Sequence, residues 1–163
     1  AGVTTTTTLV DPCADVECEE DEACIDGFCV PATGYEVDFG VDNDASFGAL
    51  QFDVVYDCRE GTFDGVAGDA TCMINPVLNA WGAFNNRPCD PVTDMARLTT
   101  AIATGSSEID GPMIVASCRY TSAAGELPST DAFDITVVDA TDPFFIPVPN
   151  AAVSVHAIRT VAR

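Results

Sequence analysis

Residues 45–57, ASFGALQFDVVYD, alternate along most of their length: Leu50, Phe52, Val54 and Tyr56 are apolar, and Gln51, Asp53 and Asp57 are polar. Successive side chains of an extended strand point to opposite faces, so this pattern puts four large apolar groups on one side and polar groups on the other. Val55 is the one exception. Four such side chains on a single strand need an opposing sheet to cover them, which restricts the chain to a layered β architecture. A turn at residues 46–48, with Gly48, leads into this strand.

The chain after residue 34 repeats the theme, with short strand-like runs separated by turn residues, the pattern of an all-β sandwich. Tyr35, Val37, Phe39 and Val41 alternate with Glu36, Asp38 and Asp42, and Asp42, Asn43 and Asp44 make the following turn. Residues 61–69 read as a Gly/Asp-rich loop, followed by a short strand at 71–74. Residues 75–94 read as irregular because of Asn85, Asn86, Pro88, Cys89 and Pro91, with at most a weak helical period over 76–84. Strands are expected at 96–104, 112–120 and 133–139, with Phe133, Ile135 and Val137 inward. A Pro-rich bend over 139–149 precedes a last strand at 152–158, with Val153, Val155 and Ala157 on one face.

Eight cysteines, an even number, point to disulfides and an oxidising compartment. No CxxC pair or Cys/His cluster suggests metal or haem instead. Together with a first residue that is Ala rather than Met, as after removal of a signal peptide, this gives the expectation of a secreted or cell-surface protein. Cys72 and Cys118 fall in expected strands, Cys58 and Cys89 beside loops, so the pairs Cys72–Cys118 and Cys58–Cys89 are favoured. Cys13, Cys18, Cys24 and Cys29 lie in residues 11–31 with spacing C-x4-C-x5-C-x4-C, a segment too short for its own core and therefore held by disulfides. Asp26 and Gly27 mark a tight turn there. Asp15, Glu17, Glu19, Glu20, Asp21 and Glu22 in the same segment read as a solvated charge run.

The acidic balance excludes some partners. There are 26 Asp and Glu against six Arg and no Lys, a formal net charge of −20. Such a surface repels phosphate backbones, so nucleic acid and anionic membrane are not expected partners. No apolar run reaches the roughly 18–20 residues of a membrane helix. Calcium is the cofactor such a surface could take: Asp38, Asp42, Asn43 and Asp44 form one oxygen-rich group, and Asp139 with Asp142 a second, though neither alone supplies six to eight ligands.

Residues 1–10, AGVTTTTTLV, form an uncharged extended tail. Val3, Thr4, Thr5, Thr6, Thr7, Thr8, Leu9 and Val10 favour strand backbone. Three readings compete: a spacer carrying O-linked sugar, a strand added to its own sheet, or a strand inserted at the open edge of a neighbouring copy.

Taken in order, GALQFDVVYD, then LTTAIATGS followed by GPMIVASCRY, then FDITVVDATDP before a closing VSV strand, resemble a cohesin-type module over residues 35 to about 160. The resemblance implies a jelly-roll β-sandwich of about nine strands for residues 35–163, in a family that binds dockerins through one sheet face. Residues 11–31 resemble a truncated EGF-like knot, whose interleaved pattern implies Cys13–Cys24 and Cys18–Cys29 among three possible pairings.

Motifs for turnover are missing from the sequence: no G-x-S-x-G, H-E-x-x-H or P-loop occurs, and the single histidine, His156, sits in the last expected strand as a solvent-facing or edge residue. Trp81, in NAWGAFNN, reads first as a core residue in an irregular connection and second as a platform for a sugar or partner. The expectation is a non-enzymatic structural or adhesive protein, a fibre subunit assembling with copies of itself through its tail. The alternative is a cohesin-type module binding another extracellular protein or a glycan, with calcium.

Overall fold

The computed structural model describes residues 14–18, 22–25, 27–31, 34–105, 107–122 and 126–161. The expected pair Cys13–Cys24 and the tail at residues 1–10 lie outside what is described. The elements in order are β1 (Glu22–Ile25), β2 (Phe28–Pro31), β3 (Gly34–Val41), β4 (Ser46–Phe47), β5 (Ala49–Asp57), β6 (Gly61–Phe63), β7 (Gly65–Val66), β8 (Asp69–Ala70), β9 (Cys72–Ile74), β10 (Ala80–Arg87), β11 (Met95–Thr104), β12 (Ile109–Asp110), β13 (Met113–Ser122), a 3-10 turn at Thr130–Ala132, β14 (Phe133–Thr141) and β15 (Val153–Val161). The fold is all-β.

Two sheets carry the core. One has the order β14-β5-β11-β10-β8-β7; the other has the order β15-β3-β13-β6, with β9 pairing the same side of β13 as a second short neighbour. Every pairing in them is antiparallel. The alternation of β5 is realised residue by residue: Leu50, Phe52, Val54 and Tyr56 are buried and face Phe39 and Phe63 of the opposing sheet. An aromatic cluster of Phe63, Tyr56, Tyr120 and Phe133 fills one end of the core, with centroid separations of 5.1–6.1 Å and mostly edge-on geometry.

Strand β3 is covered on both faces over much of its length. Asp38 is only 2 % exposed although it points away from the core. Its carboxylate accepts from Ser117 Oγ (2.6 Å) and from the Arg159 guanidinium (2.9 Å), and Arg159 also donates to Glu36. A buried carboxylate needs such partners, because desolvating an unpaired charge is costly.

Several sequence expectations are corrected. Residues 75–94 are not irregular throughout: β10 pairs with β11 over eight residues, Ala80↔Thr104 to Arg87↔Arg97, and no helix forms over 76–84. The register puts Ala80, Gly82, Phe84 and Asn86 on the inner face. Asn86 is acceptable there because it accepts from Tyr56 Oη (2.6 Å) and donates to the Phe63 carbonyl (3.2 Å). Trp81 therefore points outward and is 64 % exposed, not buried. Residues 61–69 hold three short strands, and Phe63 among them is a core residue. In β15 a bulge between Val155 and Ala157 takes up one residue, so Ile158 joins Val153 and Val155 against the core and Ala157 does not.

Disulfides join Cys18 to Cys29, Cys58 to Cys89 and Cys72 to Cys118. The last staples the three-residue β9 to β13 at the pair Cys72↔Cys118. Three disulfides fit an oxidising environment, and no helix among the described residues is long and apolar enough to cross a membrane.

Candidate functional site

The sequence singles out carboxylates, one histidine, one tryptophan and a tail; the structure separates them. Asp42 Oδ1 accepts from Ser154 Oγ (2.7 Å) and lies 2.8 Å from His156 Nε2, with the imidazole stacked over Gly40. The Ser154 hydroxyl is spent on the carboxylate rather than on the imidazole, so this Asp/Ser/His group lacks the base-to-hydroxyl contact that nucleophilic catalysis needs. A Cβ on Gly40 would run into the His156 ring, which is why glycine stands there.

The proposed calcium ligands are not brought together. Asp38 is committed to Ser117 and Arg159, and Asp42 to Ser154 and His156. The Asn43 side chain spans to the Asn150 carbonyl and the Ala152 amide. Asp44 is exposed on the turn, and Asp139 lies on the outer face of β14. Asp142 accepts from the Phe144 and Ile146 amides (2.8 and 2.9 Å), a local turn clamp. Among the described residues, no three His, Cys, Asp or Glu side chains form a group that could hold a metal ion.

Two surfaces stand out instead. The first is the outer face of β5, β11 and β10 at the end where Trp81, Ala103, Ala49 and Thr141 lie in one row of paired positions. Ala49, Ala83, Ala101 and Ala103 make a low floor, Trp81 a wall and Gln51 with Asp139 a polar rim, around a hollow of about 340 Å³. Small side chains on a sheet face leave room for a partner, and an exposed indole beside them supplies contact area with one polar tip. Close in sequence, the turn after β14 displays Phe144 (79 % exposed), Phe145 (85 %) and Ile146. Phe145 takes φ +64°, a left-handed conformation unusual for a non-glycine residue, held by the hydrogen bond that its amide donates to the Asp142 carbonyl (3.0 Å). In the sequence these three residues lie inside a Pro-rich bend, and no local pattern marks them as a surface.

The second surface is the corner where β14 and β15, each the terminal strand of its sheet among the described residues, come together. A groove of about 450 Å³ runs between them, lined by Phe133, Ile135, Val153 and Val155 with Asp131 and Asp134 nearby. Val37, Phe39 and Val41, one strand further in, are fully buried, whereas Ile135, Val137, Val153 and Val155 pack against the core yet stay only half-buried. No strand among the described residues covers the core along this line. The edge of β14 is already closed at one end, where the Val148 amide donates to Ala140 and Thr141 bridges Pro147.

No protein family, curated protein or solved structure matches the chain.

Proposed function

We propose that this chain is a secreted, non-enzymatic structural subunit of an extracellular surface or fibre, in which residues 3–10 of one copy complete a sheet of the next. The observation that carries the reading is the half-open corner between β14 and β15, where Ile135, Val137, Val153 and Val155 are only half-buried, in a chain that also contains eight consecutive uncharged residues of strand-forming type. An edge strand with unpaired main-chain groups templates the addition of another strand, and an apolar cleft beside it rewards the addition. Disulfides suit a body exposed to an oxidising medium. Negative-stain electron microscopy and analytical ultracentrifugation of the full chain test this: concentration-dependent linear polymers are expected. A full chain that stays monomeric into the millimolar range overturns it.

A second reading is supported by a different observation, the exposed Trp81 above its alanine floor. On it, the cohesin-like body binds a dockerin-like domain or a glycan through the outer face of the sheet containing β5, β11 and β10, with calcium as a further ligand. Titration against a glycan panel with and without calcium separates the two, since a fibre subunit alone shows no saturable ligand. Trp81→Ala abolishes binding on this reading and leaves assembly unchanged on the first.

A further inference from the structure

Resting on the fibre reading above, we infer that the acceptor is the edge of β15 that no strand among the described residues pairs, and that the donated strand turns Val3, Thr5, Thr7 and Leu9 inward onto the groove. Three observations define this arrangement. The first is length. Residues 3–10 span about 26 Å as a strand, at about 3.3 Å per residue, and β15 offers nine residues of edge, whereas β14 is left open only over residues 133–138.

The second is main-chain direction. The Asp42 amide donates to the Ala152 carbonyl (2.8 Å), and Val153↔Val41, Ser154↔Gly40 and Val155↔Phe39 follow in register. Antiparallel pairs alternate between bonded and non-bonded, so Ser154 turns its amide and carbonyl to β3, and Val153 and Val155 turn theirs to the open side. The same two residues direct their side chains into the groove. A new strand would therefore meet main-chain groups that have no partner among the described residues, and half-covered valines, at the same positions.

The third is chemistry. The period of 2 puts Val3, Thr5, Thr7 and Leu9 on one face of the tail and Thr4, Thr6, Thr8 and Val10 on the other, so the first carries two aliphatic residues against one. The groove has a mixed lining: Phe133, Ile135, Val153 and Val155 supply its apolar part, and Thr130, Asp131, Asp134 and Ser154 its polar part. An acidic strand would be repelled there; this tail has no charge. Strand addition in this place extends the sheet β15-β3-β13 by one member and closes the core.

The test is amide hydrogen exchange of the full chain as dilute monomer and after assembly. The Val153 and Val155 amides are expected to slow at least tenfold on assembly, and Leu9→Asp to reduce sedimentable polymer more than tenfold while Thr8→Asp, on the outward face, stays within twofold of the parent. Assembly that leaves Val153 and Val155 unchanged while another edge slows overturns the acceptor assignment and leaves the fibre reading standing. Equal losses from both substitutions overturn the facing. Protection of the two amides that is already complete in dilute monomer means that the tail closes its own chain, and overturns donation between copies. A full chain that never assembles removes the fibre reading itself.

Discussion

Phe39 of β3 and Phe52 of β5 meet across the two sheets with ring centroids 5.7 Å apart and planes tilted by 56°. Both are fully buried, and they belong to the two strands whose alternation is clearest in the sequence. This contact is where the layers are held together, and truncating it leaves a cavity that the flanking β-branched residues cannot collapse into. Phe52→Ala is expected to destabilise by about 3–5 kcal/mol, and Phe52→Leu by clearly less, in equilibrium urea unfolding. Equal costs for the two would mean that the ring contact is not what closes the layers.

What was legible in the sequence follows from how many inward positions carry large apolar side chains. In β5 and β3 nearly all do, so the period of 2 is unmistakable. In β10 the inward set is Ala80, Gly82, Phe84 and Asn86, one large apolar residue in four, and the alternation disappears into what looks like a loop. Missing that strand also misplaced Trp81, since only the strand register turns the indole outward. The bulge in β15 has the same effect on a smaller scale: one inserted residue moved Ile158 inward and Ala157 out, which no local pattern announces. The corner between β14 and β15 was illegible for a different reason. Which strands end a sheet is decided by long-range order, and edge and central strands of similar composition look alike locally.

Thr100 faces the core opposite Phe52 and Phe84, is fully buried, and its hydroxyl has no hydrogen-bond partner among the described residues. A buried polar group without a partner keeps its desolvation cost. Thr100→Val replaces the hydroxyl with a methyl of similar shape and is expected to raise stability by about 1 kcal/mol. A loss of stability on thermal or urea unfolding would show that the hydroxyl is satisfied in solution.

Arg159 is the cation that faces Asp38, on the outer side of β3. Its removal leaves a carboxylate that is almost wholly buried with Ser117 as its remaining side-chain donor. Arg159→Ala is expected to cost about 2 kcal/mol, and the same change in an Asp38→Asn background less than half as much, because the uncompensated charge is then absent. A double-mutant cycle measures the difference; two equal values would assign the loss to the Arg159–Glu36 contact instead.

Tyr120 sits in the aromatic cluster at the end of the core, and its phenol is pushed up to about 12, first by burial and then by Tyr56, Glu60 and Asp57 nearby. An acid whose pKa is higher folded than unfolded holds its proton longer in the native state. The unfolded chain ionises this phenol near 10, so its contribution is intact below about pH 10 and drains away as the pH rises toward 12. The urea midpoint is expected to fall across that window, and Tyr120→Phe to flatten that part of the fall. A midpoint that falls equally in Tyr120→Phe assigns the loss to other groups.

The disulfides of the sandwich differ in access more than in the entropy they remove. Cys58–Cys89 closes 31 residues and Cys72–Cys118 closes 46, and chain-entropy arguments give both about 4 kcal/mol, because the dependence on loop length is logarithmic. Burial does separate them. Cys118 is fully buried in β13 and Cys72 half-buried against it, while Cys89 is exposed in the connection after β10 and Cys58 is only half-buried. Thiol–disulfide exchange needs a thiolate to reach a sulfur. Under mild native reduction, Cys58–Cys89 is therefore expected to open first, with Cys72–Cys118 resisting until the sandwich unfolds. Mass mapping of alkylated cysteines over time reads the order directly. Opening of Cys72–Cys118 first, in a chain still folded by its near-ultraviolet signal, would mean that β9 detaches from β13 without global unfolding, and that the staple holds a strand the sheet cannot hold alone.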